Sequence, residues 1–331
     1  MTLRNIINKK PAFPVEICCY KITSRKSVVY CRLMIKNNLF IFPLQFIPVL
    51  LIPFWGCQKK TEAQIAAVKF AATPAPVKIE PGIIDEASGI ADSRSNDGYI
   101  WVEQDSGNPN DIFLLAYSGT ILKKINIKSA VNRDWEDMAI GNGPVNGINY
   151  LYLADIGDNS LVYGQCTIYR FPEPLSTADT VTTYDKISFQ YPDGPHDAEA
   201  IVTDPGSNDI FIITKRDSLS RIYKLAYPQN VTAMNTASYV GSLSFNGVVS
   251  AALSANGNEL LVKTYSTLYY WKKENNESIE QLFRKTPVKL DYQPEPQGEA
   301  VCFRKDDNGF YTLSERPPSV AFVNLNFYQR K

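Results

Sequence analysis

The stretch Arg133-Asp134-Trp135-Glu136-Asp137-Met138-Ala139 decides how the rest of the chain is interpreted. It carries a Glu that is followed closely by an apolar run, and the same pattern recurs along the 331-residue sequence at Glu86, Glu199 and Glu299. The intervals are 50, 63 and 100 residues, and the last one is two periods of 50 with a degraded middle copy at residues 249–253. A repeat of about 50 residues in a β-rich sequence indicates the blades of a propeller.

Each repeat offers short runs of strand-forming residues that are bounded by Gly, Pro, Asn and Asp. The predicted strands are 88–91, 99–103, 112–117 and 121–127 in the first repeat, 138–140, 150–154, 167–171 and 186–191 in the second, 200–203, 210–214, 221–225 and 239–243 in the third, 248–253, 260–264, 268–271 and 288–292 in the fourth, and 300–303, 310–313 and 321–325 in the fifth.

The fifth repeat is one strand short, and residues 77–80 can supply that strand from the N-terminal side. We therefore predict an all-β fold, a β-propeller of five four-stranded blades that the N-terminal strand closes. A six-bladed ring is the alternative, because the 63-residue interval is long enough to hold extra strands. Residues 254–257 and 306–309 are predicted hairpin turns on the face opposite the repeated glutamates.

The first 57 residues indicate an export signal rather than a part of the folded domain. Apolar runs between residues 39 and 52 are interrupted by Pro43 and Pro48 and followed by Pro53, and a proline inside a helix costs roughly 3 kcal/mol. Gly56-Cys57 after these runs is typical of a bacterial lipoprotein processing site, with an ordinary signal peptide or anchor as the alternative. We therefore expect Cys57 to be lipidated.

This interpretation divides the chain into four parts. The predicted parts are upstream read-through at 1–33, a lipoprotein signal peptide at 34–57, a flexible tether at 58–75 and the propeller domain at 76–331. The protein would then be exported and lipid-anchored, in the periplasm or at the cell surface, and would meet the membrane only through its lipid. Besides Cys57, only Cys166 and Cys302 remain in the exported part, so no disulfide framework is indicated.

The charge balance narrows the set of partners. The chain has 34 basic and 34 acidic residues and a formal net charge of zero. Nucleic-acid binding needs a basic stripe, which this balance does not favour. We expect a monomer whose partner is a small anionic substrate or a ligand of the cell envelope.

Propeller geometry places the repeated glutamates at one mouth of the central channel. The first strand of a blade is innermost, and its start lies beside the end of the antiparallel second strand. The side chains expected at this mouth are Glu86, Glu136, Glu199 and Glu299 from first strands and Asp105, Asp155, Lys215, Lys263 and Glu315 from second-strand ends, to within one residue of register. The mouth would therefore have an acidic side and a basic side.

Carboxylates that converge on one axis need a partner. Two like charges 4 Å apart repel by about 4 kcal/mol at an effective dielectric of 20, so the acids must bind a metal, share protons or accept backbone N–H bonds. Oxygen-only ligands favour Ca²⁺ or Mg²⁺ over zinc, and calcium is the favoured ion. The predicted ligands are Glu86, Glu136, Glu199, Glu299, Asp105 and Asp155. The alternative is that each Glu is a structural cap of its blade.

Two further features allow two interpretations each. Asp155-Ile156-Gly157-Asp158-Asn159-Ser160 spaces oxygen donors around a Gly and is either a calcium loop or a plain turn, since it lacks the full EF-hand spacing. His196 is the only histidine and lies on the loop that enters the third blade, where it is either a catalytic or substrate-binding residue or an inert surface side chain.

The repeat motifs resemble those of secreted bacterial propeller lipoproteins. The residues that carry the resemblance are Glu86-Ala87-Ser88-Gly89-Ile90-Ala91 with Trp101 and Asp105-Ser106-Gly107, Asp134-Trp135-Glu136-Asp137-Met138-Ala139 with Tyr152-Leu153-Ala154-Asp155-Ile156-Gly157-Asp158-Asn159, and Tyr191-Pro192-Asp193-Gly194 with Asp197-Ala198-Glu199-Ala200. This group is similar to the phytase-like and gluconolactonase-like propeller superfamilies, and the resemblance covers about residues 79–316. Calcium-dependent apyrases are similar in placing Glu at blade starts.

The resemblance implies a divalent metal, often calcium, that channel carboxylates hold and that activates water or polarises the substrate. Asp105 and Glu86 correspond to metal ligands of the lactonase type. The Asn ligands of that pattern are not evident here, and the basic runs of phytases are reduced to Lys215, Arg216 and Lys263.

The sequence therefore predicts a metal-dependent hydrolase of a small anionic ester, a phosphoester or a lactone, in which His196, Lys215 and Lys263 are the catalytic or substrate-holding residues. In this scheme a metal-bound water attacks the ester, and the two lysines hold its anionic group opposite the ion. The competing prediction is a non-catalytic propeller that binds a ligand or a protein of the cell envelope. An open funnel at the mouth would favour catalysis, and a plugged channel would favour binding.

Overall fold

The computed structural model describes residues 70–274 and 277–331 of the chain. The predicted read-through and signal segments, Cys57 and most of the predicted tether lie outside these residues. Strands form where apolar runs meet turn residues, as in Tyr99–Gln104, which is buried from Ile100 onward. Among the described residues no helix is long and apolar enough to cross a bilayer.

The strands are arranged in five sheets, one for each predicted blade. Blade 5 takes the first strand of the described chain, β1 (Ala75–Ile79). Blade 1 contains β2 (Ala87–Asp92), β3 (Tyr99–Gln104), β4 (Asp111–Ala116) and β5 (Ile121–Ile127). Blade 2 contains β6 (Trp135–Asn142), β7 (Asn149–Asp155) and β8 (Cys166–Pro172); β9 (Thr180–Val181) leaves it to pair with β5, and β10 (Asp185–Gln190) completes it.

The remaining blades follow the same meander. Blade 3 contains β11 (Ala198–Thr203), β12 (Ile210–Thr214), β13 (Arg221–Leu225) and β15 (Ser238–Ser242), while β14 (Asn235–Thr236) pairs with β10 of blade 2. Blade 4 contains β16 (Val248–Leu253), β17 (Glu259–Thr264), β18 (Leu268–Lys272) and β19 (Val288–Lys289), with the short helix α1 (Ile279–Phe283) before its last strand. Blade 5 contains β20 (Gly298–Phe303), β21 (Gly309–Ser314) and β22 (Val323–Gln329) together with β1.

The predicted ring closure is confirmed. Strand β1 pairs antiparallel with β22, with Val77 opposite Leu325 and Ile79 opposite Val323. Phe70 forms a further bridge to Arg330, so the paired edge begins six residues before the predicted boundary at residue 76. Five blades rather than six are present, because the long second interval holds loops and the short strand β9 instead of another sheet.

The core consists of apolar layers between neighbouring blades. One buried cluster lies between blades 1 and 2 and contains Trp101, Trp135 and Phe171, and similar clusters lie between the other pairs. Cys166 and Cys302 are buried free thiols within these layers. Since each blade buries both of its faces in this way, the innermost strands β2, β6, β11, β16 and β20 come together around a central channel.

Candidate functional site

The innermost strand of every blade has a β-bulge near its start, and all five bulges lie at the same mouth of the channel. The register between the first and second strands shifts there by one residue in blades 2 to 5, and the shift in blade 1 falls between Ala87 and Ile90. A bulge adds a residue to one strand and re-aims its side chain. The side chains at the bulges, in chain order, are Ser88, Glu136, Glu199, Val249 and Glu299.

This register separates Glu86 from the other three glutamates. The backbone carbonyl of Glu86 accepts the amide of Asp105 at 3.0 Å, as Asp134 accepts that of Ile156 at 3.2 Å and Asp197 that of Lys215 at 2.8 Å. Glu86 is therefore the counterpart of Asp134 and Asp197, not of Glu136. Its side chain is exposed and accepts a bond from Asn108 Nδ2 at 2.5 Å.

Glu136 is the centre of the acidic mouth. One set of carboxylates consists of Asp105, Asp134 and Glu136, and a second consists of Glu136, Asp197 and Glu199. Within each set, one oxygen from every residue lies within 4.8 Å of the others. Five carboxylates from blades 1, 2 and 3 thus converge, with Glu136 shared between the two sets.

The two central glutamates are almost completely buried, and burial raises the pKa of carboxylates at this mouth. Glu136 is 4% exposed and Glu199 is 3% exposed. Burial raises the pKa of Glu136 well above its usual range, and the charges of Glu199 and Asp105 raise it further. Burial, with help from Asp134 and Glu299, also raises the pKa of Asp105 to about 6. Without a cation, both acids therefore lose their protons at a higher pH than ordinary carboxylates do.

One side of the mouth already contains an ammonium group. Lys215 Nζ donates to Glu199 Oε1 at 2.5 Å and to the Tyr265 hydroxyl at 3.1 Å, and Tyr265 in turn donates to Glu299. The pKa of Lys215 is raised because the Glu199 carboxylate outweighs the effect of burial. Blade 4 itself contributes no acid here, since Val249 occupies its bulge.

The opposite side has no such compensation. Over residues 70–274 and 277–331, no salt bridge from Lys, Arg or His involves Asp105, Asp134 or Glu136. Arg133 is close, but its Nε lies 3.6 Å from Asp155 Oδ1 and its Nη2 donates to backbone carbonyls. Three carboxylates therefore face one another without a protein cation among them.

Lys263 lies deeper in the blade than the predicted mouth position. Its side chain is fully buried, and its Nζ donates to the Gly298 carbonyl and lies 3.9 Å from Glu295 Oε2 and 5.3 Å from the centre of the Tyr292 ring. Burial lowers the pKa of Lys263 to about 8. The mouth position in blade 4 belongs to Tyr265, two residues further along the chain.

Asp155 and Asp158 both accept hydrogen bonds from backbone amides. Asp155 Oδ1 accepts the amide of Asp134 at 2.9 Å, and burial raises its pKa to about 6. Asp158 accepts the amides of Val162 at 2.9 Å and Tyr163 at 2.7 Å, which fixes the turn that follows β7. Neither side chain belongs to the two converging sets.

His196 lies in a separate polar cluster on the flank of blade 3. Its Nδ1 is 3.1 Å from Asp217 Oδ2, and its Nε2 is 3.2 Å from Asp193 Oδ1 and 2.8 Å from the Tyr223 hydroxyl. Arg221 bonds Asp193 from the solvent side at 2.6 Å. The histidine is buried rather than at the surface, both of its ring nitrogens have partners, and it lies outside the acidic mouth sets.

The channel closes below the mouth. Asp137 of blade 2 accepts the amides of Ile201 at 2.9 Å and Ala251 at 3.3 Å, and the Ser250 hydroxyl donates to it at 3.1 Å. Ser250 also accepts the amide of Val301 at 3.3 Å, so blades 2 to 5 are connected across the axis. Beyond this level the far end is lined mainly by apolar residues such as Ile90, Met138 and Val202. The mouth is therefore a closed acidic bowl.

The structure brings Glu136, Glu199 and Asp105 together as predicted neighbours and adds Asp134 and Asp197, which the sequence analysis did not select. An Asp two residues before the Glu, in 134–136 and again in 197–199, is the sequence signal that identifies them. Glu299 also faces this mouth, and its carboxylate accepts a hydrogen bond from the Ser88 hydroxyl at 3.3 Å.

Comparison with known proteins assigns no family to the chain. No protein family matches the chain, and no curated protein sequence matches it. Among solved structures, a hydrazine synthase from Kuenenia stuttgartiensis is similar, with a TM-score of 0.38 and 11% sequence identity over 72% of this chain and 58% of that chain. The chain thus spans less than two thirds of that protein, and at this TM-score the similarity carries no inference about activity.

Proposed function

We propose that this propeller binds a divalent cation, most favourably Ca²⁺, in the acidic bowl at its channel mouth. The observation that carries the proposal is that Glu136 is shared by two three-carboxylate sets whose oxygens lie within 4.8 Å of one another. Oxygen-only ligands of this kind suit Ca²⁺, which takes six to eight oxygens at about 2.3–2.6 Å. Zinc prefers N and S ligands, and His196 is held elsewhere by Asp193 and Asp217.

Binding rather than turnover is the function that the geometry supports best. The central carboxylates are nearly buried, and Asp137 and Ser250 close the floor beneath them, so an ion would reach them from one side only. In this function the cation joins blades 1, 2 and 3 at the mouth, where a ligand of the cell envelope would meet it.

Hydrolysis of a small anionic ester is the second candidate. Lys215 and Arg216 favour it, because both lie at the mouth and the Arg216 side chain is 44% exposed beside Asp197, with Nε 3.0 Å from Oδ2. These groups are placed to attract an anion next to a cation. Lys263 has no part in this candidate, since its ammonium is fully buried.

Calorimetric titration with CaCl₂ tests the binding function. We expect wild-type protein to bind Ca²⁺ and Glu136→Gln to bind it at least tenfold more weakly, because the substitution keeps the shape and removes the charge shared by both sets. Glu80→Gln is the matched control, since Glu80 is an exposed surface glutamate whose loss leaves the affinity unchanged. Wild-type protein that binds neither Ca²⁺ nor Mg²⁺ would refute the proposal and leave the glutamates as structural caps.

A panel of phosphoester and lactone substrates tests the second candidate. Ca²⁺-dependent turnover by the wild type that Arg216→Ala or Lys215→Met lowers at least tenfold, with Ca²⁺ still bound, would support hydrolysis. Absence of turnover across the panel, with Ca²⁺ binding intact, leaves the binding propeller as the function.

We also propose that the propeller is exported and anchored by lipid at Cys57, on the strength of Gly56-Cys57 after the apolar runs of residues 39–52. Expression with labelled palmitate should mark wild-type protein in the membrane fraction, and Cys57→Ser should lose the label and become soluble. Unlabelled wild-type protein in the soluble fraction would contradict the anchor.

A further inference from the structure

Blade 2 carries a second cavity at the end opposite the acidic mouth. It lies between the turn that joins β6 to β7, the end of β8 and the start of β10. Its volume is about 310 Å³, which is within the range of small-molecule binding sites. None of the mouth carboxylates lines it, so the cation site leaves this cavity without a role.

Flat rings form the apolar walls of the cavity, which consist of Pro144, Tyr150, Pro172 and Tyr184. The Tyr150 ring lies directly against Gly143, where a Cβ would be 2.2 Å from Tyr150 Cδ2. The Tyr184 ring is held by an edge contact with the Tyr169 ring, with 5.3 Å between the centroids and an angle of 86°. Both aromatic walls are thus fixed in place by contacts within the protein, and they offer apolar ring surface to C–H groups.

The polar side of the cavity is an Arg–Asp pair with no net charge. Arg170 is 3% exposed, and its Nε and Nη2 donate to Asp185 Oδ2 at 3.0 and 2.7 Å. Its Nη1 donates to Gln229 Oε1 at 2.9 Å. Since both bonds from Arg170 go to one oxygen of Asp185, and this side chain is 34% exposed, the other oxygen is left to accept from a ligand. Thr183 adds an exposed hydroxyl.

This combination selects among classes of ligand. An anion would meet the Asp185 carboxylate and a cation the Arg170 guanidinium, so a charged group gains little from the neutral pair. A purely apolar ligand would cover the carboxylate without bonding it, which costs free energy. A hydroxyl group both donates and accepts, so it suits the pair and Thr183 alike. A sugar ring has such hydroxyls at its edge and C–H groups on its faces.

We propose that this cavity binds an uncharged sugar, a monosaccharide or a disaccharide. Tyr150 and Tyr184 contact the C–H groups of the ring, and Asp185 and Thr183 bond its hydroxyls. The site is separate from the acidic mouth, so sugar binding is the same in chelator and in CaCl₂ and does not depend on the proposed cation site.

Calorimetric titration of the full chain tests the proposal with glucose, galactose, N-acetylglucosamine and maltose as neutral probes and glucuronate and glucosamine as charged ones. We expect at least one neutral sugar to bind more tightly than either charged probe. Tyr184→Ala should lower that affinity at least tenfold, because it removes one wall. Tyr239→Ala is the matched control, since Tyr239 is 54% exposed on blade 3, outside the cavity, and its loss leaves the affinity unchanged.

Asp185→Asn tests the charge argument separately. It leaves the Arg170 guanidinium without its carboxylate, so this variant should bind glucuronate at least tenfold more tightly than the wild type does, whereas Asp185→Glu should keep the preference for neutral sugars. The proposal is overturned if no neutral probe binds wild-type protein at millimolar concentrations, or if a charged probe binds it best. Sugar binding that neither Tyr184→Ala nor Asp185→Asn alters would overturn the assignment to this cavity.

Discussion

Blades 1 and 4 place opposite charges at the same position of the second strand. Lys263 is opposite Ser250, one residue past the bulge of blade 4, and the register of blade 1 puts Glu103 opposite Gly89 in the same way. Both side chains are fully buried. Lys263 has the Gly298 carbonyl, Glu295 and the face of Tyr292 around it, whereas Glu103 has no hydrogen-bond partner among the described residues.

The two positions differ in how far partners within the protein offset the desolvation of a buried side chain. The partners of Lys263 offset part of the desolvation of its ammonium, although burial still lowers its pKa to about 8. Glu103 has no such partners, and the mouth acids Asp105, Asp134 and Glu136 have no protein cation among the described residues. The blade 4 side of the channel thus has partners for its buried charge within the protein, while the acids on the side formed by blades 1 and 2 have no counter-charge among the described residues.

The largest expected effect comes from a deletion that opens the ring of blades on which this comparison depends. Deletion of residues 1–81 removes β1 and the buried side chains of Phe70 and Ile79, and exposes the edge of β22. We expect a loss on the order of 5 kcal/mol in the free energy of unfolding, measured by denaturant titration. Deletion of residues 1–69 keeps β1 and is the control. Equal stability of the two deletions would contradict the closure.

A smaller effect distinguishes the two buried side chains by what their replacement costs in the free energy of unfolding. Lys263→Met should cost about 3 kcal/mol, because it leaves Glu295 without its nearest cation and the Gly298 carbonyl without its donor. Glu103→Gln and Glu103→Leu should cost nothing in chelator, because neither replacement removes a hydrogen-bond partner among the described residues. Lys128→Met, at an exposed lysine, is the control for the change of side chain. A Lys263→Met protein as stable as the wild type would remove the contrast between the two positions.

The last expected effect is a dependence of the protein's stability on pH. Burial raises the pKa of Asp105 to about 6 and that of Glu199 to about 8, while Asp and Glu in an unfolded chain titrate near 4. Between pH 4 and pH 8 the folded form therefore holds more protons than the unfolded form. The stability of cation-free protein should fall as pH rises through this window, and Ca²⁺ should reduce the fall. A melting temperature in chelator that stays level or rises from pH 5 to pH 8 would contradict this assignment.

The fold was largely predictable because its signals are local. Apolar runs such as Leu260–Thr264 end at turn residues, and the 50-residue period supplies the blade count. The two-residue strands β9 and β14 were not predicted, because each joins the outer edge of a neighbouring blade and has no pattern of its own. The helix α1 is five residues long, and its only signal is the capping box of Ser278 and Gln281.

The candidate site was less predictable because it depends on register. The bulge of blade 1 lies two residues after Glu86, so alignment by residue type paired Glu86 with Glu136. Lys263 lies two residues before the mouth position, which Tyr265 occupies, and this difference moves its ammonium from the mouth into the blade interior. Glu103 carries no motif, and only its burial without partners makes it visible.

Calcium-dependent thermal unfolding tests the central claim most directly. Wild-type protein at neutral pH is melted in chelator and again with CaCl₂ in increasing excess. A cation that binds only the folded form at 100 times its dissociation constant adds about 2.7 kcal/mol, so we predict a melting temperature that rises with Ca²⁺ concentration and a rise that Glu136→Gln largely abolishes. A melting temperature that is the same in chelator and in millimolar Ca²⁺ would contradict the cation site.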